Sequence, residues 1–324
     1  MMDAEVIELF ASSVRRAVRQ PTAAEVDLAL ADIGWREALA TEAASVVPVL
    51  FSEQGEANST SCALDDVLAE ALGRLGEPDV AVVLPALGSV AAPGRLDGQE
   101  LSVSGLSTAR MLAASSALVV AADTAGQARL AIVGTGSLVT TGIGGVDPAL
   151  GLLRVDGAAP LDAECAEPVE WPAAVAAGQL ALTYELLGAT RAMLRLAREH
   201  AVTRIQAGRP ISVFQAVRHR LADTLVAVES SAALAAAASD SIGTTLDTEL
   251  AGIAKGYVGR MAAVAARHCQ QVLAGIGFTA EHQFQAYYRR VLVLDQLLGS
   301  SRMLTRTLGE RLLEGRLLPD MPAL

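Results

Sequence analysis

Few residues in this 324-residue chain have types and spacings that could do chemistry. Gly134-Thr135-Gly136 and Gly142-Ile143-Gly144-Gly145 have the glycine density of a phosphate-cradling loop. Neither run contains Gly-Lys-Ser/Thr or leads cleanly into a helix, so they are read as turn glycines of a β domain. Cys62, Cys165 and Cys269 are widely spaced, odd in number and without histidine at metal-ligand spacing. They are read as structural thiols of a chain kept in a reducing cytoplasm, with no metal site and no disulfide framework. More informative is the stretch from Gly188 to Glu229, in which good helix formers run up to a Gly208-Arg209-Pro210 break. Beyond it, Ile211, Phe214, Val217, Leu221, Leu225 and Val228 recur at steps of three or four, one face of a second helix. Proline lacks the amide donor and disfavours helical geometry in its predecessor. Two long helices therefore meet at a tight corner that carries Arg204 and Gln206.

The elements around that corner fall into three blocks, an α+β organisation. Residues 1–78 read as a helical N-terminal domain, with helices at Glu5 to Val18, Ala23 to Leu39 and near Leu64 to Leu75, the last after the loop-like SEQGEANSTS. In residues 79–166 the runs DVAVVLPAL, ELSVSG, SALVVAAD and ARLAIVG are short, β-rich and punctuated by Gly, Pro and Asp, which predicts a small middle β domain. Residues 167–324 predict a C-terminal four-helix bundle with segments at about 172–203, 212–239, 246–274 and 281–313. Thr244, Thr245 and Asp247 would cap the third helix, and Gly275-Ile276-Gly277 would stop it.

Composition excludes some functions. The chain is 52% hydrophobic, far too apolar for disorder. Its net charge is −11, its basic residues are arginines apart from Lys255, and it has no basic block, which argues against nucleic acid as a partner. The opening MMDAEVIELFASSVRR lacks the basic start and apolar core of a secretory signal. No uninterrupted apolar run approaches the roughly 18 residues of a membrane span. The expectation is a cytoplasmic protein with no membrane partner.

The domain order, taken with three stretches, resembles the acyl-CoA dehydrogenases, flavoenzymes that introduce an α,β double bond into a CoA thioester. TRIQAGRPISVFQAVRHRLAD at 203–223 is similar to the family's R-x-x-F-G-x-x-I-x-x-F-Q-x-x-x-x-x-L-A-D. QQVLAGIGFTAEH at 270–282 is similar to Q-x-x-G-G-x-G-F-x-x-E, and SVSGLSTARMLAASSALVVAAD at 102–123 is a weaker echo of N-G-x-K-x-W-I-T-N. The resemblance implies that Arg204 and Gln271, with Gln206 and Gly275 beside them, reach the FAD of a neighbouring subunit. A guanidinium can clamp a pyrophosphate through paired charge-assisted hydrogen bonds, and glycine lets the backbone approach closely. Read without the motif, Arg204 would be a solvated arginine complementing a helix C-terminus. Two positions depart from the pattern: the motif phenylalanine is Ala207, and the first of the paired glycines is Ala274.

Larger departures concern catalysis. The family removes the α-proton with a glutamate placed at one of two positions, and ungapped counting lands on Leu298 for one and Gly178 for the other. Neither can take a proton. Glu185 lies two turns further along the same predicted helix, about 10 Å away by helical rise, and a shifted alignment would point to Glu170 and Trp171; both glutamates are read as surface residues. The family's T-E-P-G-x-G-S-D loop survives at 84–95 only as Pro85, Gly88 and Ser89. Ala109 and Met111 replace the tryptophan and threonine that contact the flavin. The chain therefore resembles the small, non-catalytic subunit of actinobacterial α2β2 acyl-CoA dehydrogenases of steroid catabolism. That implies no catalytic residue and no metal in this chain, FAD shared with and mostly bound by a catalytic partner in a heterotetramer, and acyl-CoA met only through the complex. Two alternatives are a flavin-free interaction protein on the same fold and a self-sufficient dehydrogenase with a relocated base such as Glu185.

Overall fold

The structure is a computed structural model that describes residues 4–77, 79–160, 166–241 and 247–315. Cys165, Thr244 and Thr245 lie outside them, as does the side chain of Asp247, so the expected third-helix capping is not part of the description. Four helices open the chain: α1 (Ala4–Ala17), α2 (Ala23–Asp32), α3 (Trp35–Ala57) and α4 (Ala63–Ala71). Thr22 starts α2 with a reciprocal capping box to Glu25. The single helix expected over Ala23 to Leu39 is two, because Gly34 adopts a left-handed φ of 72° between them. The stretch beginning at Ser52, read as a loop from its polar composition, is helical through Ala57. Its Gln54 and Gly55 are buried against the first bundle helix, α5 (Trp171–Thr203). The α3–α5 contact is a glycine crossing. A Cβ added at Gly55 would run into the Glu185 carbonyl, and one added at Gly188 into the Ser52 carbonyl. The backbones themselves touch there, so neither position has room for a methyl group.

An eight-stranded mixed sheet follows: β1 (Val80–Val82), β2 (Gly94–Asp97), β3 (Glu100–Ser107), β4 (Ser116–Ala122), β5 (Ala128–Gly134), β6 (Leu138–Gly142), β7 (Leu153–Pro160) and β8 (Glu167–Pro168). The four apolar runs identified in the sequence are β1, β3, β4 and β5. The other four strands were not foreseen, because Gly, Pro and Asp within or beside them read as punctuation. In β4, Leu118 and Val120 join the helical core on one face, while Ala117, Val119 and Ala121 form a second core on the other. Burial on both faces explains why SALVVAA is continuously apolar rather than alternating. Gly134 and Gly142 end strands, and an added Cβ at Gly134, Gly136, Gly142 or Gly144 would meet no neighbour, as expected of turn glycines.

The C-terminal block contains α5, a hairpin of β9 (Ile205–Gln206) and β10 (Arg209–Pro210), then α6 (Gln215–Asp240), α7 (Asp247–Leu273), α8 (Phe284–Gln296) and α9 (Ser301–Leu313). Helix α5 is central, packing against α3, α4, α6, α7 and α8. The fourth expected helix, 281–313, is broken into α8 and α9. Leu298 and Gly299 take φ of 52° and 96°, and Ser300 caps α9. Lys255 fixes the break: its Nζ, fully buried, donates to the carbonyls of Asp295 (3.0 Å) and Gly299 (3.3 Å). Burial pushes its pKa down to about 8, against the opposing field of Asp295.

Helix α6 corrects the periodicity argument. Of the stripe identified there, Val228 is buried, Val217 and Leu221 are half-buried, and Leu225 is exposed. The inner face is made instead of small residues, among them Thr224, Ala227, Ser231, Ala235 and Ala238. Small side chains let α6 lie close to α7 and leave larger apolar residues facing out. By length and composition α6 could cross a bilayer, with a mean hydropathy of 1.4 over 18 residues, of which 39% are buried within the molecule.

Candidate functional site

The corner is well defined locally. The Arg204 N–H donates to the His200 carbonyl, ending α5, and the Arg204 carbonyl accepts from Ile211 N–H, both at 2.8 Å. Between them a two-residue hairpin turn places Ala207 (φ 51°) and Gly208 (φ 75°) in the left-handed region, pairing Gln206 with Arg209 and Ile205 with Pro210. The Arg209 guanidinium lies 4.9 Å from the centre of the Phe214 ring. Arg204 and Gln206 are exposed, and among the described residues Arg204 forms no ion pair. The second motif closes α7 with a 3-10 turn at Ala274–Phe278, begun by Ala274 at φ 51°. Gln271 and Gly275 are exposed, and a Cβ at Gly275 would meet nothing, so its backbone is open to an approaching group. The turn is tied to α8 by the Gln285 amide, which donates to the Gly277 carbonyl and to Gln270 Oε1 (3.3 Å). The two motifs share one end of the bundle: His200, in the last turn of α5, has its pKa lowered first by burial and then by the positive fields of His282 and Arg204.

The two positions where a base could stand also come together, and they fill one another. A Cβ added at Gly178 would fall inside contact distance of Leu298 Cδ1 and 3.1 Å from Leu68 Cδ2. Leu298 is 1% exposed, and its carbonyl accepts from Gln179 Nε2 at 2.9 Å. Over this plug lies the 85–93 loop. Its Gly88 N–H donates to the Gln296 carbonyl (2.7 Å), and Trp171 Nε1 donates to the Val90 carbonyl (2.9 Å). Glu185 is not a surface residue. It is buried beside Arg290 (3.5 Å), whose guanidinium also holds Asp147 (2.5 Å), the Ser59 carbonyl and Thr60 Oγ1. Burial raises the Glu185 pKa and the arginine opposes it. This is a structural tie joining α5, α8, the loop after α3 and the β6–β7 connection. Glu170, by contrast, is exposed, as expected.

Sequence reasoning missed a second buried polar group. Asp65, in the first turn of α4, accepts from Val82 N–H (2.8 Å) and Thr108 Oγ1 (2.6 Å), and burial lifts its pKa to about 6. Asp66 beside it receives Arg110 and Trp35 Nε1. The available signal was an Asp-Asp pair inside the otherwise apolar ALDDVLA, since buried carboxylates are rarely without partners.

Residues 173–313 match the family model for the acyl-CoA dehydrogenase C-terminal domain. The acyl-CoA dehydrogenase IpdE2 of Mycolicibacterium smegmatis is 36% identical over 129 residues, a match spanning 40% of this chain and only 40% of that protein's length. The acyl-CoA dehydrogenase FadE28 of Mycobacterium tuberculosis is 29% identical over 304 residues, covering 89% of this chain and 84% of that one. In solved structures, a chain of the ChsE4-ChsE5 complex from Mycobacterium tuberculosis superimposes with a TM-score of 0.77 at 20% identity, covering 99% of each chain. The Tcur3481-Tcur3483 steroid ACAD gives 0.77 at 21% identity, covering 96% of this chain and 98% of that one. The chain has the acyl-CoA dehydrogenase fold.

Acyl-CoA dehydrogenases as a family bind FAD, so the residues at the corresponding places can be tested for fit. In this chain's own middle domain they do not fit. Thr108 spends its hydroxyl on Asp65, Met111 is buried in the core of the sheet, Ala109 offers no ring, and the 85–93 loop is pinned to Gln296 and Trp171. At the bundle end they do fit: an unpaired guanidinium, two exposed amides and an open glycine backbone suit the polar part of a cofactor approaching from outside.

Proposed function

We propose that this chain is the non-catalytic subunit of a heteromeric, FAD-dependent acyl-CoA dehydrogenase acting on a CoA thioester of steroid origin. The observation that carries the reading is the mutual filling of Gly178 and Leu298. On this reading, the two positions at which the family's base would stand are hydrocarbon and pack against each other. The catalytic partner supplies the base, the ring pocket and the acyl-CoA site. FAD, when bound, supplies the electron acceptor for that chemistry. This chain contributes Arg204, Gln206 and Gln271, with the backbone at Gly275, to the far end of the cofactor. Two of the structural neighbours are two-protein assemblies by name, and one of them is named as a steroid enzyme, which supports both the partner and the substrate class. The α2β2 stoichiometry and a cytoplasmic location belong to the same proposal.

Co-expression with a catalytic acyl-CoA dehydrogenase subunit tests it. Arg204→Ala removes a charge-assisted contact worth about 1.5–3 kcal/mol, so flavin affinity of the purified complex should fall about tenfold to a hundredfold. Unchanged flavin content in that variant would refute the shared site. Yellow colour and acyl-CoA-dependent dye reduction by this chain alone would show instead that it is self-sufficient.

A further inference from the structure

A cleft of about 720 Å³ shares no lining residue with the exposed corner or with the plugged base positions. It lies where the α1–α2 connection, the end of α3, the loop after α3 and the β6–β7 connection meet α5 and α8, and its lining is mostly polar. One wall is held firmly. The fully buried Arg290 guanidinium donates to the Ser59 carbonyl (2.6 Å) and to Thr60 Oγ1 (2.9 Å), and Thr60 Oγ1 donates in turn to the Ala149 carbonyl (3.1 Å). Asn58 closes α3 at a left-handed φ of 51°, a conformation that asparagine adopts more readily than most residues. Two polar atoms on that wall are left over: Asn58 Oδ1 and Ser59 Oγ are buried and form no hydrogen bond among the described residues. Buried oxygens without a partner cost stability, and native interiors rarely leave them so. The charges around the cleft are unevenly used. Arg290 is committed to Asp147 and Glu185, and Glu53 to Arg15 (2.8 Å). Arg195 meets Glu199 at 3.4 Å, while Arg19 and Glu56, both exposed at the rim, form no ion pair among the described residues.

We propose that this cleft binds a small hydroxylated anion, a sugar phosphate or a sugar acid, with the anionic group on Arg19 and Arg195 and the hydroxyls on Asn58 Oδ1, Ser59 Oγ and Glu56. The donor and acceptor set carries the assignment. Two guanidinium groups outnumber the one uncommitted carboxylate, which favours an anion over a metal ion or an amine. Asn58 Oδ1 and Glu56 accept hydrogen bonds, so the same ligand must also donate them, as hydroxyl groups do and a bare inorganic anion does not. The polar lining disfavours an acyl chain. The volume falls in the range of about 300–1,000 Å³ in which small-molecule sites lie, room for a pentose phosphate. This site is independent of the shared-flavin reading above.

Calorimetric titration of the full chain with ribose 5-phosphate, gluconate and free ribose tests it. At least one of the two anions should bind; the phosphate alone narrows the class to sugar phosphates, and gluconate alone narrows it to sugar acids. Free ribose, with nothing to offer the two arginines, should bind about tenfold more weakly than the better anion. Ser59→Ala and Asn58→Gly each remove one hydrogen-bonding atom, and the glycine keeps the left-handed backbone, so each should weaken binding about twofold to tenfold. Arg19→Ala should weaken it about twofold to fivefold, the range of an exposed charge pair. Without ligand, Ser59→Ala and Arg19→Ala should melt as wild type does, since the first loses no hydrogen bond within the chain and the second no ion pair. Flavin content of the co-expressed complex should be the same in all three variants, so failure of this site leaves the shared flavin untouched. No binding of either anion, free ribose binding as tightly as they do, affinity unchanged in Ser59→Ala and Arg19→Ala, or a lowered melting temperature of unliganded Ser59→Ala would overturn the proposal.

Discussion

At the scale of single residues, Gly178 and Leu298 matter only as a pair. Neither residue type signals anything alone: a glycine within a helix and a leucine in a leucine-rich run are unremarkable. Counting along the motifs singled out each separately, but that one fills the space left by the other depends on a packing contact between residues 120 positions apart in sequence. A separation of 105 positions likewise hid the partner of Glu185, Arg290 on another helix, so a charge in an apolar stretch reads as solvated when it is paired. The packing makes a prediction. Gly178→Ala should cost about 1–3 kcal/mol, as overpacking outweighs the gain in helix propensity. Leu298→Ala should cost about 2–5 kcal/mol through the cavity it leaves. Because the new methyl enters that cavity, the double variant should be more stable than the sum of the two losses by about 1 kcal/mol or more. Chemical unfolding of the four proteins measures the coupling, and simple additivity would mean that the two positions do not touch.

At the scale of elements, the long bundle helices and the four most apolar strands were legible because their periodicity or continuity is strong. The breaks were less so. Gly34 divides α2 from α3, and Leu298-Gly299 divides α8 from α9, where a fully buried lysine gathers the free carbonyls. The site corner shows what such geometry costs. The Ala207-Gly208 turn has both central residues left-handed, the arrangement for which Asn-Gly is the preferred sequence. An alanine there carries strain of about 1 kcal/mol that asparagine or glycine relieves. Ala207→Asn should therefore raise the thermal midpoint slightly without changing flavin content of the complex, since the site groups Arg204 and Gln206 keep their backbone. A lowered midpoint would mean that the turn is not left-handed at Ala207.

At the scale of the whole molecule, large apolar side chains reach solvent on the middle domain, where Leu112 is 69% and Val139 67% exposed, and at the bundle end and on α6, where Phe278 is 73% exposed, Val226 67% and Leu225 49%. Helix α6 packs an inward face of mostly small residues on α7 and sends Leu225 and Val226 outward. Exposed apolar residues adjoining a polar, cofactor-suited corner fit a surface that another subunit covers. This is also why the face misled the periodicity argument: the stripe is real, but only Val228 of it is fully buried in this chain. If the proposed catalytic partner covers this face, Leu225→Glu with Val226→Glu should abolish co-purification with it, because two charges would be buried without partners at the contact. The isolated variant should keep its melting temperature within about 0.5 kcal/mol equivalent of wild type, as surface substitutions do. Light scattering of the co-expressed proteins separates the outcomes. A complex that survives both substitutions would place the subunit contact on another face of the bundle, while loss of the complex together with loss of the fold would show that α6 packs more deeply within its own chain than its exposed residues indicate.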